Sequence, residues 1–401
     1  MFVGVLALGT VLFDGACART GGTPAEAHFL VDYRSLGDED DGVAIINLDP
    51  ESEAFGRITS RLALGKGVLP HHLYFNRNDD RVYTTALGPP YLYELTVRKD
   101  VNQVPMLVNA TPIDTAGNLV GEDMFFTKDG RFFVTFMGGH GDPHGGSIGV
   151  FKSSDNTHLK TIHASRGGSD TPLLMHPHGI SVNEDKGLLM TTSTIHPDLS
   201  SEIGNTCTLI DLNTYALLET YQVADARTPQ SSPVEILLLR DEFPPYALVT
   251  TMLGGDVWIA DHDRMTNRYR NFRKFLDGAS RGLGWALELY IGPDKLLYVS
   301  FAEPGVVLVF DLAHLPDARL VRTLMADPGA HHMAFFKTRS GRAVVAVQNN
   351  MLNLPRISAG TIAVFDIGSG ERLATVDLRT RHKILPESIE SATGRGHYLH
   401  H

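Results

Sequence analysis

Cysteine is nearly absent from this chain: Cys17 and Cys207 are the two in 401 residues. One pair cannot make a disulfide framework, and no Cys-x-x-Cys or Cys–His spacing offers a structural zinc site. Cations are scarce as well. Lys and Arg number 35 against 46 Asp and Glu, a formal net charge of -11. Nucleic acid and anionic membrane surfaces both need clustered Lys and Arg, so neither is an expected partner. No apolar run approaches the roughly 18 residues of a bilayer-spanning helix, so no integral membrane segment is expected. No long helical period is found. A Gly-x-Ser-x-Gly element is missing, which leaves Ser-His-Asp nucleophilic chemistry without support. The glycine-rich stretch 138–146 lacks the Gly-Lys-Ser/Thr ending of a phosphate loop.

What is present is a recurring strand head. Hydrophobic residues make up 43% of the chain, enough for a large core, and 18 histidines stand out, several of them paired. His71-His72-Leu73-Tyr74-Phe75 opens an apolar run that turns at Asn76–Asp80 and returns as Arg81-Val82-Tyr83-Thr84-Thr85. Comparable heads follow at Glu122-Asp123, His176-Pro177-His178, Pro233-Val234-Glu235, Trp285 to Glu288 and His331-His332, about 45 to 57 residues apart. A repeat of that length made of short strands reads as a propeller blade. Residues 28–33, 42–47 and 58–64 look like the second to fourth strands of a blade whose first strand is missing. The expectation is an all-β fold: one seven-bladed β-propeller with four antiparallel strands per blade, closed by pairing of the termini. The tail 383–401 would supply the last inner strand or plug the channel. Residues 261–276, rich in Arg and Tyr, read as a turn or a short exposed helix. Residues 1–22 read as a signal peptide or an extra strand, because an apolar run is followed by Ala16-Cys17-Ala18, although no Lys or Arg precedes it. Secretion is favoured slightly over a cytoplasmic location, and 23–401 form the single propeller domain.

Inner strands of a propeller line its channel, so the head residues should meet on one axis. Imidazoles and carboxylates are ligands for borderline transition metals. Adjacent residues of a flat strand point to opposite faces. Only one of His71 and His72, and one of His331 and His332, can then face the axis unless a bulge reorients them. The channel set is His71 or His72, His178, Glu235 and His331 or His332, with His71, His72, His178, His331 and His332 as metal ligands. His72, His178, Glu235, His332 and Trp285 are the catalytic candidates. Tyr74 and Asp123 are ligand-binding candidates, as are His140 and His144 in the glycine-rich loop beside Asp142. Met124 and Phe126 read as packing between blades. The competing reading of the channel groups is that they hold ordered water.

The order of features resembles the selenium-binding protein / methanethiol oxidase family. Val43-Ala44-Ile45-Ile46-Asn47-Leu48-Asp49-Pro50-Glu51-Ser52 is similar to that family's strand and Asp-Pro turn, and Arg57 to Leu62 to its next strand. His71-His72 stands where the family has an adjacent His pair, and Pro233-Val234-Glu235-Ile236 resembles its Pro-Leu-Glu-Ile element. The resemblance implies a seven-bladed propeller, oxidation of methanethiol, and copper held by histidines. Three departures follow. No cysteine pair stands in 76–84, and Glu122-Asp123 occupies the place of family histidines. Near the C-terminus, His397 lacks the acidic residue that follows the family's last histidine.

Three functions are consistent with the chain. The first is a metal-dependent oxidoreductase of small molecules, with copper or another transition metal in the channel. The second is a metal-free isomerase, lyase or cyclase, such as a pericyclase of secondary metabolism, using the same pocket and no cofactor. The third is a protein-binding propeller scaffold. The expected partner is a small organic substrate, and the expected state a monomer or weak dimer.

Overall fold

The computed structural model of the protein describes residues 27–139, 145–168, 171–195, 203–240, 242–352 and 354–392. The expectations placed on 1–22, on His140, Asp142 and His144, and on His397 lie outside the described residues.

Seven four-stranded antiparallel sheets form the ring. Their inner strands are Pro70–Phe75, Gly121–Phe126, Pro177–Asn183, Pro233–Leu238, Gly284–Ile291, Ala330–Lys337 and Ile384–Ser391. Blades one to seven are numbered here in that order. Among the described residues the only α-helix is Leu378–His382, and no helix is long and apolar enough to cross a membrane. A two-stranded ribbon, Ser165–Arg166 with Leu173–Leu174, sits outside the blades.

Closure joins the two ends of the chain. His28–Ser35 pairs with Asp41–Asn47 on one side and with Ile384–Ser391 on the other, from Phe29↔Ser391 to Ser35↔Ile384. The C-terminal strand, buried at every residue, is thus the inner strand that blade seven lacks. Pairing the ends removes the two open sheet edges a linear array would expose.

Each pair of neighbouring blades shares one apolar interface. Leu188, Met190 and Cys207 of blade three meet Ile236, Val249 and Trp258 of blade four. Phe29, Ala44 and Ile46 of blade seven meet Ala334, Val344 and Val364 of blade six. Met124 and Phe126 pack with Tyr83 and Phe132 between blades one and two. Each buried large side chain in such an interface contributes about 1.5–3 kcal/mol.

Residues 261–276 correct the helical expectation. They belong to two paired outer strands, Val257–Asp263 and Arg268–Leu276. An outermost strand has one sheet neighbour and a wet side, so it carries charge as an exposed helix would. Here Arg273 reaches Asp261 at 2.9 Å and Arg270 reaches Glu219 of blade three at 2.5 Å.

Candidate functional site

The channel is shaped by a β-bulge that recurs in every blade. Blade one pairs Pro70↔Ala86 and then His72↔Thr85, one residue out of step. The same slip falls between Gly121↔Phe136 and Met124↔Val134, Pro177↔Ser193 and Ile180↔Thr191, and Pro233↔Thr251 and Ile236↔Val249. It falls again between Ala286↔Phe301 and Leu289↔Val299, between Ala330↔Asn349 and Met333↔Val347, and at Glu387 in blade seven. A bulge opposes two residues to one and re-aims their side chains. Both members of His71-His72 and of His331-His332 therefore reach the axis, which a flat strand would forbid.

In blades two to six a polar residue on the second strand holds the bulge. The backbone N–H groups of Asp123, Gly179, Glu235 and Glu288 donate to the hydroxyls of Thr135, Thr192, Thr250 and Ser300 at 3.0, 2.9, 3.0 and 3.1 Å. In blade six, the His332 N–H donates to Gln348 Oε1 at 3.2 Å. The same side chains then donate to the next blade. Thr135 reaches the His178 carbonyl, Thr192 that of Val234, Thr250 that of Leu287 and Gln348 that of Pro386, at 2.5, 2.7, 2.5 and 2.7 Å. This chain of bonds fixes neighbouring bulges against each other. Gly179 belongs to it for a steric reason, since a Cβ there would stand 2.8 Å from the Glu235 carboxylate and 2.4 Å from the Val234 carbonyl.

The bulges divide the channel into two chambers. The first bulge residues, His71, Glu122, His178 and His331, floor a small upper chamber, partly open to solvent. Its walls are mainly apolar: Leu87, Met137, Val234, Met252, Met351 and Leu352, with Thr194. The second bulge residues His72, Glu288, His332 and Ser388 line a smaller lower chamber, together with Tyr74, Tyr290 and Glu390.

Between the chambers, Glu122 Oε2 lies 3.5 Å from His71 Nε2, 3.8 Å from His72 Nε2 and 3.5 Å from His178 Nε2. His178 Nδ1 lies 3.1 Å from Glu235 Oε1. Glu288 Oε1 stands 3.3 Å from His331 Nε2 and 3.7 Å from His332 Nδ1. His71, His72 and Glu122 form one triad of buried metal-competent groups, and His72, Glu288 and His332 a second. Among the described residues, His72 Nε2, Glu122 Oε2, Glu288 Oε1 and His331 Nδ1 are buried without a hydrogen bond. An unsatisfied buried polar atom costs about 1–3 kcal/mol. Four of them in one cluster suit a cation or the polar groups of a substrate.

Burial sets the protonation states. It holds the His71 imidazole well below its ordinary value, helped by His331 and His178, and does the same to His72, helped by His71 and His332. His178 is drawn down to about 4, burial outweighing the pull of Asp123. Burial, then Asp123, pushes the Glu122 and Glu235 carboxyls well above the carboxylate range. The shifts favour neutral imidazoles, the form that binds metals, and disfavour the charged forms of the two carboxyls.

Of the residues singled out in the sequence, His71, His72, His178, Glu235, His331 and His332 converge here. Tyr74 and Asp123 stand behind His72: the Tyr74 hydroxyl is 2.8 Å from His72 Nδ1 and donates to Asp123 Oδ1 at 2.5 Å. Trp285 is not among the residues lining either chamber. It is half-buried and packs against Val234, Met252 and Met351, behind the apolar wall. His176, two residues before His178, bonds the Met137 carbonyl at 2.8 Å through Nδ1. Glu122, Glu288 and Tyr290 were not chosen from the sequence. The signal for them was the polar residue opposite each bulge.

The fold and its axis define a seven-bladed propeller with a buried His/Glu cluster in the channel. No protein-family model matches the chain. Methanethiol oxidases of Hyphomicrobium sp and Ruegeria pomeroyi are 24% and 22% identical to it over 248 and 253 residues, 57% of the chain in each case. The matched segments are 53% and 56% of those proteins, so the match spans about half the length of each. A hypothetical selenium-binding protein from Sulfolobus tokodaii superposes with a TM-score of 0.73 over 94% of this chain and 96% of its own, at 12% identity. At that identity the superposition shows the fold alone. The chain is distantly similar to the selenium-binding protein / methanethiol oxidase family.

Proposed function

We propose that this protein is a small-molecule oxidoreductase whose redox-active cation, copper or another transition metal, is held in the channel by His71, His72 and Glu122, with His178 beside the Glu122 carboxylate. One observation carries the reading: a single buried carboxylate oxygen faces three imidazole Nε2 atoms at 3.5, 3.5 and 3.8 Å. Those gaps are long for hydrogen bonds. Ligand atoms about 2.1 Å from a tetrahedral ion are about 3.4 Å from one another. The donor set is nitrogen and oxygen without thiolate, which suits Cu(II) and its first-row neighbours. The bound metal would supply the electron acceptor.

The chain's own residues then have separable roles. The methionine and leucine wall of the upper chamber binds an uncharged apolar substrate and keeps water out. Glu235, 3.1 Å from His178 Nδ1, fixes that imidazole and takes or gives its proton. The relatives' name makes methanethiol and other small thiols the first substrates to try. Copper analysis combined with oxygen uptake tests the reading. About one equivalent per chain is expected, with turnover lost on chelation, restored by copper, and lowered roughly 100-fold or more in H178A. Less than about a tenth of an equivalent, with turnover indifferent to chelator, would overturn it.

A second reading is favoured by the Glu122 carboxyl, pushed up by burial, beneath an apolar wall. In its protonated form Glu122 would donate a hydrogen bond to a polarised substrate that the wall holds in a reactive conformer, as in a metal-free isomerase, lyase or cyclase. Turnover of a polyene or quinone-methide-type substrate by metal-free protein supports it, and loss of that turnover on chelation counts against it.

A further inference from the structure

The lower chamber contains a hydrogen-bonded relay whose direction can be read. Asp123 Oδ1 accepts from the Met124 N–H and Oδ2 from the Ile180 N–H, both at 2.7 Å. With two backbone donors on its two oxygens, the Asp123 side chain is held as an acceptor. The Tyr74 hydroxyl therefore directs its proton to Asp123, at 2.5 Å. Its oxygen is left to accept, and the group 2.8 Å away is His72 Nδ1. A hydroxyl has one proton, so this bond needs the proton on Nδ1.

We propose that Tyr74 and Asp123 are positioning residues that lock His72 in its Nδ1–H tautomer, leaving Nε2 as the bare nitrogen presented to the axis. Two features agree with this. His72 Nε2 has no hydrogen bond among the described residues and is 3.8 Å from Glu122 Oε2. His72 belongs to both ligand triads, the one with His71 and Glu122 and the one with Glu288 and His332. A carboxylate behind a ligating histidine is a common way to fix tautomer and ring orientation, and its loss costs about 10–100-fold in metal affinity. Here a tyrosine is interposed between the two. The consequence for a bound cation rests on the oxidoreductase reading, whereas the tautomer does not.

Long-range proton–nitrogen correlation spectra of metal-free protein carrying ¹⁵N-histidine, at neutral pH, test the lock, with H72Q to assign the signal. The wild type should show His72 protonated on Nδ1 and bare on Nε2. Y74F should lose that preference, and its Cu(II) affinity should fall roughly 10–100-fold. D123N, which keeps the side-chain shape but can donate toward Tyr74, should shift the tautomer in the same direction and decides the matter if Y74F does not fold. A wild-type His72 protonated on Nε2, or variants that keep the Nδ1–H form, would overturn the proposal. A wild type that shows the Nδ1–H form yet binds no copper would support the lock and overturn the cation reading.

Discussion

At the residue scale, burial decides what the channel groups can do. A carboxyl in low dielectric keeps its proton, and an imidazole there refuses one. Asp32, on the strand that joins the chain ends, shows the effect away from the proposed ligands. Burial raises it from 3.8 to about 7, against the hydroxyls of Thr84 and Ser388 that bond its Oδ2. The folded state binds this proton more tightly than the unfolded chain does. Stability is therefore lost as pH rises from about 4 to about 7 and is level above. D32N removes that loss. It should stabilise the protein by up to about 4 kcal/mol at pH near 8 and by little near pH 4, read from urea midpoints. An equal effect at both pH values would contradict the shift. The paired histidines were legible in the sequence because six heads recur at a blade's length. Which member of each pair faces inward was not, since strand parity holds only while the register does.

At the element scale, the unit is the bulge with its hydroxyl. T192V removes the acceptor of the Gly179 N–H and the donor to the Val234 carbonyl. It should cost roughly 2–4 kcal/mol, with both backbone groups left buried and unpaired. A thermal midpoint within about a degree of wild type would show that the relay is incidental. G179A should disturb fold and site together, because the added methyl meets the Val234 carbonyl at 2.4 Å as well as Glu235, the partner of His178. The strand pattern was readable from alternation, since each blade has one face toward each neighbour. The register slips were not readable, because an extra residue alters no composition. Thr191-Thr192 and Thr250-Thr251 were their visible trace, and they resemble ordinary β-branched strand residues. The helical expectation for 261–276 failed because charge on an outermost strand and on an exposed helix looks alike.

At the scale of the whole molecule, ligands from blades one, two, three, five and six meet only because the ring closes. Removing residues 384–392 takes away the inner strand of blade seven and its pairs with Phe29 to Ser35. Loss of cooperative unfolding is expected, and an unchanged melting midpoint would place closure elsewhere. The incomplete N-terminal blade made this closure readable in the sequence, since three strands without a first imply a donor. The central claim is that the axis holds a cation among these histidines and Glu122. Crystals grown with copper and measured on either side of its absorption edge test it most directly. One anomalous peak is expected within about 2.5 Å of Glu122 and at least two of His71, His72 and His178. Copper-replete crystals with no anomalous density on the axis would contradict it.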